Sequence, residues 1–262
     1  MRYAKGSLSL NSKEDKHVLQ FVADSRYATH SQLFEFARLE YGEYNRPVFN
    51  WRIRRMVEGG LLRKQVVPIL GGDALYSINR AGVQALERLG TYYLGAHLGR
   101  DRDADQFQIP HSLELNEIRL ALLRTCLLIR WIPESVIRVL NLSPPHSYAK
   151  VYDGIATLKM PDGPVCLAVE YERTLKSPAK YEKIREAIES EKRIVAFLYL
   201  VPTHDLLFSL PRAFWRTKQF VWFGMVSDFK KESLGVTVYD ANYNRIPLVQ
   251  ALTRVVSATT GT

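Results

Sequence analysis

A chain of 262 residues with 47% hydrophobic content is long enough for one large domain or two ordinary ones, and it can bury a real core. Its 36 Lys and Arg residues against 27 Asp and Glu residues give a formal charge of +9, which indicates a polyanionic partner. No apolar run approaches the roughly 20 residues of a membrane span, the first residues hold no apolar signal core, and there are only two cysteines. These features argue against a transmembrane protein, a classically secreted protein and a disulfide scaffold, and they predict a cytoplasmic protein.

The first segment, residues 1–97, is predicted to form helices followed by a β-hairpin. The hydrophobic pattern and the capping residues predict helices over residues 17–23, 32–39, 47–58 and 80–89. Two strands are predicted over residues 61–69 and 74–78, joined by the Gly-Gly-Asp turn at 71–73. This order predicts a winged helix-turn-helix. The polar, charge-alternating stretch 98–108 that follows predicts a linker between two domains.

The second segment, residues 109–262, is predicted to be an α/β (α+β) domain. Helices are predicted over residues 110–128, 177–192 and 206–218. The predicted strands cover residues 127–132, 136–140, 149–158, 165–172, 194–201, 220–225, 236–239 and 246–249. Residues beyond 256 are predicted to be a frayed tail.

Positive charge is concentrated in the predicted third helix and the wing that follows. Six basic residues stand against one acid between residues 46 and 64. Arginine and asparagine on the outward face of such a helix contact base edges or phosphates. The predicted DNA-binding residues are Arg46, Asn50, Arg52, Arg54, Arg55, Arg63 and Lys64. An ordinary solvated basic face is the alternative, and winged helices also mediate protein contacts, but the flanking elements favour DNA binding.

Acidic residues are predicted to gather at the ends of two neighbouring strands. Asp153 lies in one predicted strand, and Glu170 and Glu172 lie two residues apart near the end of the next, so both glutamates face one side. Hard oxygen ligands of this kind suit Mg²⁺ or Mn²⁺. Glu134 is a further candidate ligand, although a helix or strand end explains it equally well. The alternative is a half-exposed strand end with surface ion pairs.

An acid, a β-hairpin, Glu-x-Glu and a nearby lysine resemble the PD-(D/E)XK nuclease core. The sequence departs from the usual motif because Glu172 holds the place of the lysine, so the resemblance implies a lysine supplied from Lys176 or Lys180. The same departure leaves open an inactive, DNA-binding relic of the fold.

Over most of its length the chain is similar to the replication-relaxation family, and particularly to MobC-type plasmid mobilisation relaxases. The stretches that carry the similarity are PHSLELNEIRLALL, WIPE, YDGIA and AVEYERTLKSPAKYEKI. The resemblance implies a metal-dependent, strand-nicking relaxase (an endonuclease) that acts at a plasmid transfer origin in conjugation. The absence of any His-x-His pair agrees with a relaxase that lacks the usual histidine cluster.

The resemblance also implies roles and partners. Asp153, Glu170 and Glu134 would bind Mg²⁺ or Mn²⁺, Glu172 would bind or orient a water, and Lys176 or Lys180 would steady the scissile phosphate. The partners would be the double-stranded transfer origin, the nicked single strand, and a conjugative coupling protein or accessory mobilisation protein.

Several alternatives stay open from the sequence. A covalent route through Tyr152, Tyr171 or Tyr181 competes with attack by water. The main alternative function is a non-catalytic, sequence-specific DNA-binding protein, such as a plasmid replication initiator or transcription regulator, with a degenerate nuclease-like domain. A structural adaptor that uses the winged helix for protein contacts is a third possibility. The aromatic group at residues 214–223 could stack single-stranded bases, but its apolar neighbours favour buried packing.

Overall fold

The computed structural model describes residues 10–91, 108–143 and 145–260. Its internal contacts divide the chain into two units, Met1–Leu120 and Ala121–Thr262. The sequence places the boundary earlier, in a linker over residues 98–108, of which all but Gln108 lie outside the described residues. Within the described part of the chain, no helix is both long enough and apolar enough to cross a bilayer.

The first unit combines helices with a small three-stranded antiparallel sheet. In chain order its elements are α1 (Asp15–Ser25), β1 (Ala28–Thr29), α2 (His30–Tyr41), α3 (Arg46–Glu58), β2 (Leu62–Val66), β3 (Ala74–Ile78), α4 (Arg80–Arg88) and most of α5 (Gln108–Arg124). The strand order is β1-β3-β2, so β2 and β3 form the predicted hairpin and the short β1 adds to its inner edge.

Local capping fixes the starts of α2 and α3. The backbone N–H of Gln32 donates to the Thr29 hydroxyl (3.2 Å), and the N–H of Thr29 donates to the Gln32 side chain (3.3 Å), which forms a complete capping box. Asn45 caps α3 by accepting from the N–H of Val48 at 3.2 Å. Gly42 ends α2 with φ of +74°, a conformation that glycine adopts without strain.

Buried polar contacts join α5 to the first unit. The Asn116 side-chain amide donates to the carbonyl of Tyr27 (2.8 Å), and the Gln32 amide donates to the carbonyl of Leu113 (2.9 Å). Arg119 forms an ion pair with Asp24 at 3.2 Å. These contacts explain why the helix predicted to open the second domain belongs, up to residue 120, to the first unit.

The second unit is built on a seven-stranded mixed sheet with helices. Its elements are β4 (Leu128–Pro133), α6 (Glu134–Leu140), β5 (Gly154–Met160), β6 (Gly163–Tyr171), α7 (Pro178–Ser190), β7 (Ala196–Val201), α8 (His204–Ser209), β8 (Phe220–Met225), α9 (Val226–Glu232), β9 (Thr237–Tyr239), β10 (Arg245–Pro247) and α10 (Leu248–Thr260). The strand order is β10-β9-β8-β7-β6-β5-β4. Strands β6, β7 and β8 are parallel, and the other neighbours are antiparallel.

Three sequence predictions for this unit are wrong. The predicted strand over residues 136–140 is helix α6, which begins directly after Pro133. The predicted helix over residues 206–218 is instead α8 followed by a 3₁₀ turn, Leu210–Phe214. Helix α10 takes up the residues from Leu248 onward, including much of the predicted frayed tail, because Leu248, Leu252 and Val255 recur at helical spacing and are fully buried.

One face of the sheet carries an aromatic core that extends to the acidic positions. The strand registers place Ala168 beside Phe197 and Glu170 beside Tyr199, so the buried run of this face ends at a carboxylate. Phe214 is fully buried against Tyr199 and Phe223, with ring centroids 5.0 and 5.5 Å away. This packed layer gives the strand ends a rigid support.

Candidate functional site

Strand registers place Asp153 and Glu170 next to each other at one end of the β5–β6 hairpin. Gly154 pairs with Val169 of β6 in an antiparallel register, and the next residues outward on the two strands are Asp153 and Glu170. Gly154 also pairs with Pro133, the last residue of β4, after which Glu134 begins helix α6. A backbone contact agrees with this placement, since the N–H of Tyr171 donates to Asp153 Oδ2 at 2.8 Å.

Glu170 is the most strongly perturbed acid of the cluster. Its side chain is buried, and its carboxylate forms an ion pair with Lys150. The pKa of Glu170 is raised to about 7: burial is the largest cause and the negative charge of Asp153 adds to it, while Lys150 and Lys176 act against the rise. Such a carboxylate is costly to leave ionised, so it favours a cation beside it.

Glu172 and Lys176 form a second pair at the same edge. Glu172 is buried and forms an ion pair with Lys176, four residues along the chain. The backbone N–H of Lys176 donates to the Tyr181 hydroxyl at 3.2 Å, which fixes the start of α7 next to the acids. Lys180, the other lysine predicted for this role, lies on the exposed surface of α7. Of the two predicted lysines, the structure therefore places Lys176 against an acid of the cluster.

Lys150 lies against the acidic cluster and was not among the residues predicted from the sequence. Its ammonium pairs with Glu170 and also lies 4.4 Å from the centre of the Tyr152 ring. The signal was a lysine three residues before Asp153 in the segment AKVYDG. The segment was predicted as strand from residue 149, but β5 begins at Gly154, and Lys150 precedes it in irregular backbone.

Tyrosine hydroxyls near the cluster are held in forms that disfavour nucleophilic attack. The Tyr152 hydroxyl donates to Glu191 at 3.1 Å, and burial with the neighbouring carboxylates raises the pKa of Tyr152 far above its usual range. Burial also raises the pKa of Tyr199, whose hydroxyl has no hydrogen-bond partner within the described residues. Neither tyrosine is therefore ready to form the phenolate that a covalent route needs.

The carboxylate oxygens of the acidic cluster are the kind of ligand that a hard cation prefers. The Glu134 carboxylate forms an ion pair with Arg138 on α6 and remains about one-third exposed. No group of three His, Cys, Asp or Glu side chains among the residues that the structure describes is arranged to hold a metal. Mg²⁺ is commonly bound by one or two carboxylates together with water and substrate phosphate, so Asp153 and Glu170 alone meet its ordinary requirement.

The basic residues predicted for DNA binding divide into exposed and buried groups. Exposed members on α3 and β2 are Arg46, Asn50, Arg54, Arg63 and Lys64. The Asn50 side-chain oxygen lies 2.8 Å from a ring nitrogen of His30, and the Arg46 guanidinium lies 4.6 Å from the centre of the Phe34 ring. These contacts orient two of the exposed side chains of α3, Asn50 and Arg46.

Arg52 does not belong to that surface, which corrects the predicted set. Only 7% of the residue is exposed, and its guanidinium forms ion pairs with Glu14, Asp15 and Glu43. A buried arginine is stable only when paired in this way, so Arg52 ties α3 to the chain before α1 and after α2. Arg55 is intermediate, because it is half-buried, pairs with Asp15 and stacks on the ring of Trp51.

The pKa of Glu170 predicts a loss of stability as pH rises in metal-free buffer. Between its ordinary value of 4.5 and about 7 the folded state holds a proton that the unfolded chain has released. The proton on Glu170 therefore stabilises the folded state. This stabilisation is fully present below pH 4.5, and it is lost by at most about 1.4 kcal/mol per pH unit as the pH rises towards 7. Urea unfolding in EDTA from pH 5 to 8 should show the fall in the wild type and not in Glu170→Gln. An exposed control, Glu182→Gln, should follow the wild type, and parallel curves for all three proteins would contradict the assignment.

Comparisons with known proteins do not assign the chain to a family. No family model matches the chain, and no curated protein matches its sequence. Among solved structures, the chain is similar to the restriction endonuclease FokI bound to DNA, with 11% sequence identity and a TM-score of 0.27. The similar region covers 86% of this chain and 45% of the FokI chain, so this chain spans less than half of the length of FokI. The chain is a mixed α/β protein with a seven-stranded sheet, weakly similar to a DNA-cleaving endonuclease.

Proposed function

We propose that the chain is a metal-dependent DNA endonuclease that nicks one strand of a duplex. The observation that carries the proposal is the meeting of Asp153 and the buried Glu170 across two antiparallel strands, next to the pair of Glu172 with Lys176. Carboxylates at adjoining strand ends with a lysine beside them can hold a divalent cation and a phosphate together.

The order of elements supports a PD-(D/E)XK-like core for the second unit. Strands β5 and β6 form a hairpin, and α7 then connects β6 to β7, which lies parallel to it. Asp153 precedes the first of these strands and Glu170 ends the second, as the resemblance of the sequence implies. Glu172 stands where the usual motif has a lysine. We propose that Lys176, which precedes α7 and forms an ion pair with Glu172, supplies that lysine.

The proposed chemistry assigns each side chain a task. Asp153 and Glu170 would hold Mg²⁺ or Mn²⁺, and the bound cation would stabilise charge on the scissile phosphate as a Lewis acid. Lys150 keeps Glu170 available as a carboxylate by opposing the effect of burial on its pKa. Glu172 would orient the attacking water, and Lys176, which it holds by an ion pair, would steady the phosphate.

The first unit is proposed to be a winged helix-turn-helix that reads duplex DNA. Helices α2 and α3 are followed directly by the β2–β3 hairpin, and α3 presents Arg54 outward while Phe49, Ile53 and Met56 are buried. This arrangement supports α3 as the helix that enters the major groove and β2 as the wing.

The biological setting is proposed from the sequence resemblance. The chain would act in the cytoplasm as a relaxase at a plasmid transfer origin during conjugative mobilisation. Its partners would be the duplex origin, the nicked single strand, and a coupling or accessory mobilisation protein.

Plasmid relaxation tests the proposed activity directly. Supercoiled plasmid carrying the cognate origin is incubated with the protein and Mg²⁺ or Mn²⁺, or with EDTA. We expect conversion to the open circular form only with a divalent cation, because without it the carboxylates and the scissile phosphate, which are all negatively charged, repel one another. Tight origin binding without nicking under every metal condition would reject the nuclease proposal.

A second function is favoured by the ion pairs of the acidic cluster. Glu170 and Glu172 are each paired with a lysine, and no three-residue metal group exists in the described ranges. These observations fit a DNA-binding replication initiator or transcription regulator whose nuclease-like domain is degenerate. In that case the second unit would bind no divalent metal, while origin binding through the first unit would persist and weaken strongly with salt.

Substitutions on α3 and β2 test DNA binding by the first unit. We expect the double variant Arg54→Ala/Arg63→Ala to lose roughly tenfold or more in affinity for the origin duplex and to lower the salt slope by about 2, since two phosphate or base contacts disappear. Fluorescence anisotropy in EDTA measures both quantities. Arg88→Ala, an exposed arginine on α4, is the matched control and should bind as the wild type does. Unchanged affinity and slope in the double variant would favour the adaptor alternative.

A further inference from the structure

The aromatic segment after α8 contains one tryptophan that does not join the core. Phe214 and Phe223 are fully buried, and Trp222 is 5% exposed, as the sequence pattern favours. Trp215, in contrast, is 60% exposed, with the Arg216 guanidinium 4.5 Å from the centre of its ring. An exposed indole with an arginine stacked on it offers a flat, positively charged surface on which a base and its phosphate can bind.

Trp215 stands at a groove rich in positive charge. The groove has a volume of about 440 Å³ and lies between α7 and the turn that follows α8. Four cationic residues line it and only one acid, Glu182, which pairs with one of them. These cations are Lys176, Arg185, Arg212 and Arg216. Such an excess of arginine beside an exposed ring suits a polyanion that also carries flat bases.

The groove has one lining residue, Lys176, that is paired with an acid of the cluster. Lys176 and Tyr181 line it, and Lys176 is the residue that pairs with Glu172. The backbone of Lys176 also bonds to the Tyr181 hydroxyl, so the end of the groove is fixed to the strand end that carries Glu172. A chain of phosphates in the groove would therefore run to the carboxylates.

A second cavity is also lined by Trp215. It has a volume of about 370 Å³, and its other lining residues include Phe220, Arg245 and Arg254. Phe220 is 38% exposed and stacks on Trp222, with ring centroids 6.0 Å apart. Trp215 therefore lines two concave surfaces that each contain arginine and an aromatic ring.

We propose that this groove binds single-stranded DNA, with an unpaired base stacked on Trp215 and the phosphates bound by Arg212, Arg216 and Lys176. An indole can stack on a base only when that base has left the helical stack, because the faces of the bases in an intact duplex are covered by the neighbouring base pairs. The ligand is therefore the free strand next to a nick and not the intact duplex. This inference extends the proposed nuclease function, on which it rests for the identity of the strand.

Anisotropy with a labelled oligothymidine of about 12 nucleotides in EDTA tests the proposal on the full chain. We expect Trp215→Ala to weaken binding by roughly tenfold, since base stacking on an aromatic side chain contributes about 1–3 kcal/mol. Trp215→Phe should keep most of the affinity because it retains a ring. The double variant Arg212→Ala/Arg216→Ala should lower the salt slope by about 1.4, which corresponds to two phosphate contacts on a single strand.

Two control variants separate the groove from general surface effects. Phe208→Ala removes a ring that is 49% exposed and lies outside both cavities, and Lys159→Ala removes an exposed charge on β5. Both should bind the oligonucleotide within about twofold of the wild type. Trp215→Ala is expected to melt as the wild type does, because its ring is largely in solvent. A folded Trp215→Ala that binds the oligonucleotide as tightly as the wild type would overturn the proposal.

The measurement of oligonucleotide binding does not depend on catalysis. Binding in EDTA requires no cleavage, so failure of nicking with every metal would leave a positive oligonucleotide result standing. Conversely, nicking that depends on Asp153 but not on Trp215, with unchanged oligonucleotide affinity, would reject the groove and keep the nuclease.

Discussion

Asp153→Asn is expected to abolish metal-dependent nicking of supercoiled plasmid while origin binding in EDTA stays unchanged. Asparagine keeps the shape of the side chain and an oxygen that can accept from the N–H of Tyr171, so the strand end should hold its geometry. It removes the negative charge that a cation needs beside Glu170. We expect a fall in nicking rate of about two to three orders of magnitude, comparable to the loss of one electrostatic group at a reaction centre.

Two further variants make this result specific. Glu186→Gln removes an exposed carboxylate on α7 that lines neither cavity and should nick at the wild-type rate. Glu134→Gln should have a smaller effect than Asp153→Asn, because the Glu134 carboxylate pairs with Arg138. If Asp153→Asn nicks as fast as the wild type, the assignment of the metal to this strand end is wrong.

Mg²⁺ should also stabilise the wild type at pH 8 against urea but leave Asp153→Asn unchanged. A ligand that binds only the folded state raises the free energy of unfolding in proportion to the logarithm of its concentration. This readout does not involve catalysis, so it separates a metal site that fails to cut from the absence of a site.

Gly154→Ala should destabilise the second unit by about 1–3 kcal/mol through overpacking. A Cβ atom at this position would lie 2.2 Å from Cζ2 of Trp131, far closer than atoms can approach. The indole lies across the start of β5, directly after Asp153, so the strain would also displace the carboxylate. Urea unfolding monitors the stability, and plasmid nicking in Mg²⁺ should fall in the same variant.

The partner substitution provides the check on this mechanism. In the double variant Gly154→Ala/Trp131→Ala the clash is absent, and the added effect of Gly154→Ala should vanish when it is measured in the Trp131→Ala background. Gly235→Ala is the matched control, because a Cβ there meets nothing within 4 Å. An equal cost of Gly154→Ala in both backgrounds would show that the clash with Trp131 is not the cause.

The strands and helices with a clear apolar pattern could be predicted from sequence. The strands at residues 74–78 and 220–225 have the predicted bounds, and Thr29 caps α2. The prediction was wrong for a short segment whose apolar residues fit both the period of a strand and that of a helix. In residues 136–140 the apolar positions suit either a strand or one face of a helix. These positions are Val136, Ile137, Val139 and Leu140. Long-range packing decided the outcome there.

The sequence predicted that Asp153 and Glu170 lie close together, but it did not indicate that Lys150 pairs with Glu170. The proximity of Asp153 and Glu170 followed from a hairpin between them, which is a local feature. The pairing of Lys150 with Glu170 depends on the path of irregular backbone before β5, which no periodicity describes. Similarly, Arg52 is buried because it pairs with acids from other parts of the chain, Glu14, Asp15 and Glu43. The residue pattern of α3 alone shows a basic residue but not these partners, so the burial could not be predicted from it.

The docking of α5 has a consequence for any attempt to isolate the DNA-binding half. A fragment that stops at the predicted linker would lose Arg119, whose charge opposes the effect of burial on the pKa of Asp24. It would also remove the carbonyl of Leu113 and the Asn116 amide that satisfy Gln32 and Tyr27. A fragment of the first unit that folds by itself must therefore extend at least through residue 120. Its last element would be α5, the helix that the sequence pattern assigns to the second domain.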